Sequence, residues 1–416
     1  MLQSFSKLEL VHCGRQIGVG MGDYARASKD DLIARLRTSG KTDEQLLEVL
    51  VNAQGANPTV FALAAIPGAI QPTASMPERP DYTAVMVVES VRVVDLFKLR
   101  GKNAKLFGER MVDVWNDPGA PKVMEKFKWR GDALMSTLNS MARQENIWLG
   151  GPAGTGKTEF VRQVCARLGR AMVRVQFNAG IEAYDIIGGE RVKSGSSYWQ
   201  DGLVLQGYRR PGAVILLDEI GFARPEYTSD LHSALEPTGE ITVACTGEVI
   251  HKAPGVMFFA ADNSNGRGDS TGTYVGITEK NEAFLSRFAK FLNFGYMTVA
   301  EEAAIVADVS GACKAISTMV AQFIAVCRMR ANTGLLESPP SMREAFALAG
   351  ALMDGEPPRY AFETTVVNRA PMDCQEILQQ LWVANIDEEM VMAATRGEAV
   401  SLKGGDAFEV VNANEE

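Results

Sequence analysis

One octapeptide constrains this chain more than anything else in its 416 residues: Gly151-Pro152-Ala153-Gly154-Thr155-Gly156-Lys157-Thr158. It follows a short apolar run, Asn146–Leu149, and opens a stretch of helical spacing from Lys157 to Leu168. Strand, glycine-rich turn and helix in that order make a phosphate cradle. The glycines let backbone N–H groups turn inward, and the helix N-terminus adds its positive dipole. Lys157 is then expected to span the β and γ phosphates of a nucleotide, and the Thr158 hydroxyl to ligate Mg²⁺. A chance glycine-rich turn would have no reason to sit between a strand and a helix.

Some sixty residues on, the apolar run Ala213–Leu217 delivers two carboxylates, Asp218 and Glu219, at its C-terminal end. In an open α/β sheet that edge is where ligands bind. Asp218 suits the metal shell and Glu219 the attacking water, so the pair and the glycine loop together specify ATP with Mg²⁺. Further apolar runs at Met172–Phe177, Val256–Ala260 and Phe288–Phe294 alternate with helical stretches. That alternation predicts an α/β fold with a parallel sheet covered by helices on both faces.

Forty-six per cent apolar and 22% charged residues describe an ordinary globular chain. No apolar run approaches the roughly 18 to 20 residues that span a bilayer, and the first residues lack the pattern of a secretory signal, so a cytoplasmic chain without a membrane role is expected. A net charge of −9 argues against broad nucleic-acid binding; Arg209-Arg210 is the best local basic candidate. The six cysteines (Cys13, Cys165, Cys245, Cys313, Cys327, Cys374) are scattered as reduced thiols would be, and the three histidines (His12, His232, His251) read as structural rather than metal-binding.

Along the chain, residues 1–70 form a small N-terminal segment whose helical pattern lies at Lys29–Asn52. A proline-rich linker from Pro67 to Pro80 leads into a strand-and-helix segment ending near 120. The nucleotide-binding core is expected over 121–297, a helical lid over 298–395, and an acidic tail over 396–416. Two inserted hairpins are predicted at Gly188–Gly202 and Glu240–Pro254 from their alternation and turn glycines.

The string GGPAGTGKT, followed by LLDEIGFARPEYTSDLHSALE, resembles AAA+ ATPases of the MoxR-like branch. FFAADNSNGRGDSTGTYVG and NEAFLSRF are further similar to the ATPase subunit of aerobic cobaltochelatase, in family order across about Pro121–Met353. The resemblance implies that Asn263 is the sensor 1 residue placing the water and that Arg287 is an arginine finger reaching a neighbour's γ-phosphate. It further implies that Arg343 is the sensor 2 arginine of the lid. Ser286 stands where that family commonly has Asp, and Met342 where it often has Pro. Asn178 is a candidate switch on Glu219, and the hairpin aromatics Tyr198 and Trp199 are candidate partner contacts. The Arg267-Gly268-Asp269 triplet is read as loop chemistry near the nucleotide.

These implications describe a homo-oligomeric ring, expected as a hexamer, that spends ATP on remodelling a protein client or a partner with a von Willebrand factor A domain. Two rivals are a nucleic-acid motor or loader, which the acidic balance disfavours, and an ATP-gated scaffold, which would need no water-positioning apparatus.

Overall fold

The computed structural model describes residues 10, 19, 28–42, 45–46, 80–193, 196–243, 247–268 and 277–398. The prolines of the linker before Pro80, the acidic tail from 399, Asp269, His12, Cys13 and Cys245 lie outside the described residues. Two compact units divide the chain, residues 1–80 with 190–200 and residues 81–189 with 201–416. The first contains helix α1 (Lys29–Arg37), which starts as its sequence dictates: Ser28 caps Asp31, and the Asp31 carboxylate returns the bond to the Ser28 N–H at 3.0 Å.

In the second unit, β1 (Val87–Arg92) pairs antiparallel with β2 (Met111–Trp115), and helix α2 (Gly131–Ala142) leads into the sheet. Strands β3 (Ile147–Gly150), β4 (Met172–Gln176), β7 (Val214–Asp218), β10 (Met257–Asp262) and β11 (Lys290–Asn293) form one parallel sheet in the order β11-β3-β10-β7-β4. The central strands β3, β7 and β10 are buried along their whole length. Such continuous apolar runs need cover on both faces. On one face Ile147, Leu149, Leu216 and Phe259 pack against Phe160, Val161 and Val164 of helix α3 (Lys157–Arg167). Val93, Phe97 and Phe107, from the strand-and-helix segment, join that same cluster. On the other face Trp148 meets Phe284 and Phe288 edge-on.

The two expected hairpins are β5 (Gly188–Lys193) with β6 (Ser196–Asp201), which carries Tyr198 and Trp199, and β8 (Glu240–Val243) with β9 (Glu248–His251). Between them, helix α4 (Pro225–Leu235) follows the acidic strand. After β11 the chain is helical: α5 (Val299–Ser310), α6 (Lys314–Asn332), α7 (Met342–Met353), α8 (Met372–Asn385) and α9 (Glu388–Thr395), with a shorter helix at Pro358–Phe362. Capping boxes at Thr298 and Ser341 set the starts of α5 and α7. These helices have their own core, where Phe362 stacks on Trp382 with ring centres 4.2 Å apart. That core is distinct from the cluster under the sheet.

One buried carboxamide ties the sheet together at the edge away from the glycine loop. Asn146 donates to the Leu235 and Arg287 carbonyls at 2.9 and 3.1 Å and accepts from the Phe258 N–H at 3.1 Å. Asn146→Ala strands all three groups, and unfolding free energy is expected to drop by about 2–4 kcal/mol. Urea denaturation at unchanged slope measures it; a drop below about 0.5 kcal/mol, within the range of neutral surface changes, would mean that these bonds add nothing.

Candidate active site

Because β3, β10 and β7 run parallel and in register, their C-terminal ends lie side by side. Leu149, Ala261 and Asp218 are at one level. Each strand then releases one part of the site: the glycine loop after β3, Asn263 after β10, and Asp218-Glu219 at the end of β7. Gly151, Gly154 and Gly156 all take positive φ (133°, 75° and 85°), which leaves the loop N–H groups free to face inward. A Cβ on Gly154 would lie 2.8 Å from the Cβ of Ser341, so the loop touches the start of α7.

Thr158 Oγ1 donates toward both Asp218 oxygens, at 3.0 and 3.2 Å. A hydroxyl and a buried carboxylate at this separation, beside a phosphate cradle, are a donor set fit for a hard divalent cation that keeps waters and phosphate oxygens as its other ligands. Among the described residues, no cluster of three or more His, Cys, Asp or Glu could hold a metal by itself. Lys157 Nζ donates to the Gly151 and Pro152 carbonyls at 2.5 and 2.9 Å and to Asn263 Oδ1 at 2.9 Å. Burial pulls its ammonium down to about 8, against the pull of Asp262, Asp218 and Glu219, which favour the charge.

Glu219 stands exposed with φ 56° and ψ 38°, a left-handed conformation uncommon for a non-glycine residue. Such strain persists where surrounding structure over-determines it. Here Lys280, buried, donates to the Ala223 carbonyl at 2.7 Å and the Gly221 carbonyl at 3.2 Å, fixing the chain that leaves Glu219. Burial lowers the Lys280 ammonium to about 8.

Lys157, Thr158, Asp218, Glu219, Asn263 and Arg343 line one cavity of about 770 Å³ together with Ala153, Gly154, Thr155 and Gly156. Ile305 and Val309 of α5, Phe346 of α7, and Met124 and Phe127 form its apolar part. A polar, glycine-lined end and an apolar end have the chemistry of a nucleotide site. Four residues at the site carried no motif. Arg130 lines the cavity and donates to the Gly295 carbonyl at 2.8 Å and the Thr155 carbonyl at 3.3 Å, linking the loop to the segment between β11 and α5. Lys280 is the second. Arg174 and Gln176 are the others, and they had a signal: polar residues at period two in the otherwise apolar strand MVRVQ.

Arg287 is not in this cavity. It faces α4, where Nη2 meets Glu236 Oε1 at 2.8 Å and Nε donates to the His232 carbonyl at 3.2 Å. Ser286 Oγ donates instead to the Ala283 carbonyl at 2.9 Å, and the acid beside Arg287 is Glu236. Asn178 turns into its own loop, accepting from the Gly180 N–H at 2.8 Å; the side chain that reaches Glu219 is Gln176, with Nε2 at 3.4 Å. Arg209 and Arg210 are not an open basic patch: Arg209 pairs with Asp201 and Glu248 at 2.8 and 2.9 Å, and Arg210 with Asp117. Arg267 pairs with Glu282 at 2.6 Å. His232 stacks on Phe284, and Cys165, Cys327 and Cys374 are buried free thiols.

Residues 146–288 match the AAA domain of the dynein-related subfamily. Over 195 residues the chain is 28% identical to the aerobic cobaltochelatase subunit CobS of a Sinorhizobium species, an overlap of 46% of this chain and 58% of that one. Over 134 residues it is 36% identical to protein NorQ of Paracoccus denitrificans, covering 32% of this chain and 49% of that one. The matched region is a MoxR-like AAA+ ATPase domain. It spans about half the length of these curated relatives. Among solved structures, the RuvB Holliday junction branch migration motor of Thermotoga maritima is a distant neighbour, with a TM-score of 0.39 and 18% identity over 65% of this chain and 74% of that one.

The buried Lys157 makes metal-free nucleotide binding by the AAA+ domain pH-dependent. Phosphates select the ammonium form, so above about pH 8 binding must take up a proton. Affinity for ADP in EDTA is expected to fall up to about tenfold per unit as pH rises through that value. Calorimetry in buffers of different ionisation heat reads the proton uptake. A flat profile with no uptake would mean that Lys157 is not depressed.

Proposed function

We propose that this protein is a ring-forming ATPase that couples ATP hydrolysis to remodelling or activation of a partner protein. The observation that carries it is the approach of Thr158 to Asp218 at 3.0 Å, at the mouth of the glycine loop and next to a strained, exposed Glu219. Gly151 to Thr158 would hold the phosphates, with Lys157 exchanging its loop carbonyls for the β and γ phosphates, and Thr158 and Asp218 would hold Mg²⁺. When bound, Mg²⁺ neutralises phosphate charge. Glu219 accepts a proton from the attacking water, and Asn263, already tied to Lys157, fixes that water's place.

Arg343, on a lid helix that touches Gly154, couples the nucleotide to the tilt of the lid. Residues 121–297 are the motor core and 298–395 the lid, with 1–70, 71–120 and 396–416 as appended segments. Arg287 is anchored through its carbonyl to Asn146, at the sheet edge opposite the glycine loop. By family resemblance its role is assigned to a neighbour's site in a homo-oligomeric ring, a hexamer, where it would have to leave Glu236. A protein client, or a partner with a von Willebrand factor A domain, in the cytoplasm completes the reading. Tyr198 and Trp199 are its candidate contacts.

Lys157→Ala is expected to abolish nucleotide binding, whereas Glu219→Gln keeps ATP and stops turnover. Arg287→Ala should bind normally and hydrolyse roughly 10²-fold more slowly or worse. Mixing it with Lys157→Ala chains should restore part of the turnover, and sizing in ATP should show the assembly. Full turnover by a monomer would overturn the shared site while leaving the ATPase reading intact.

A further inference from the structure

Asp218, the residue the proposed function gives to the metal, already has a cation on it. Arg174 Nε lies 2.7 Å from Asp218 Oδ2, with the carboxylate side chain 5% exposed and the arginine 36%. The sheet dictates this contact. In parallel register Arg174 is level with Leu216 and Gln176 with Asp218, so Arg174 and Asp218 share the α3 face as a diagonal pair. Both point toward Thr158, whose hydroxyl shares the same Oδ2. No other described side chain donates to Asp218.

We propose that Arg174 is a displaceable guard cation: it occupies the metal carboxylate and keeps divalent cations off Asp218 until a nucleotide's phosphates draw the guanidinium away. The inference rests on the reading of Asp218 as a metal ligand. A carboxylate neutralised by a charge-assisted hydrogen bond in a buried setting binds an incoming dication only by releasing its first partner or by tolerating two cations a few ångströms apart. Arg174 lines the same cavity as Lys157 and Thr158 and is 36% exposed, on the side that a phosphate would enter. Phosphate oxygens in that cavity are an equally good partner for a guanidinium. Metal and nucleotide then load together, each raising the other's affinity. Arg174 is in this sense a positioning residue; it transfers no proton and touches no reacting bond.

The test uses Mn²⁺ alone as probe, with the full chain free of nucleotide, and reads bound metal by electron paramagnetic resonance. Arg174→Gln is expected to bind Mn²⁺ about tenfold more tightly than the native chain, and Arg174→Lys, which keeps the charge, to bind as weakly as native. The gain should vanish in Arg174→Gln with Asp218→Asn. Arg174→Met, retaining the apolar stem, takes its place if the glutamine chain does not fold. Unchanged Mn²⁺ affinity in Arg174→Gln, or a gain that survives Asp218→Asn, overturns the proposal. A control separates it from the underlying reading: with ADP present, Asp218→Asn alone should weaken Mn²⁺ binding. If it does not, Asp218 is no metal ligand and the site itself is misread. If it does while Arg174→Gln changes nothing, only the guard role fails.

Discussion

The site depends on a register. Leu149, Ala261 and Asp218 stand level across three parallel strands, so that the glycine loop, Asn263 and the acidic pair emerge side by side. Side chains alternate with a period of two, and a slip of one residue in β7 would turn Asp218 away from α3 and Thr158. The apolar faces prevent such a slip, since Leu216 and Phe259 are committed to the α3 cluster while Trp148 packs with Phe284 and Phe288 behind the sheet. Core packing and catalytic geometry are thus one specification. The hydrophobic effect sets the alignment, and the polar groups inherit it.

What could be read from the amino-acid order alone was what is local. The glycine loop, the carboxylates at the end of an apolar strand, Asn263 at the end of the next and the capped helix bearing Arg343 each carry their signal within a few residues of themselves. Strand and helix positions followed from periodicity, and the hairpins from alternation broken by glycine. Arg174 and Gln176 were half visible, because polar residues at every second position of an apolar strand mark a face that looks onto something polar. Asn178 drew attention in place of Gln176 because a strand-end asparagine looks like a switch; its turn with Gly180 satisfies it locally instead.

Long-range partners were hidden. Arg130 reaches the Gly295 carbonyl across 165 residues of sequence, and Lys280 reaches Ala223 across 57. Nothing near either residue announces its partner. The same holds for Glu236, just past the end of α4, which pairs with Arg287. Basic residues also have partners the sequence does not announce: Arg209-Arg210, the best local basic candidate on paper, is in space matched with acid at each residue.

Gly154 and Ser341 meet by shape rather than by charge: a Cβ on Gly154 would lie 2.8 Å from that of Ser341, too close for any side chain to fit without moving the loop or the start of α7. Repulsion between atoms at contact is indifferent to ionic strength, whereas the pull of Arg343 or Arg174 on phosphate weakens as salt screens it. In the proposed motor, that contact would be a stop that salt cannot move, and the arginine–phosphate attraction a spring that salt softens.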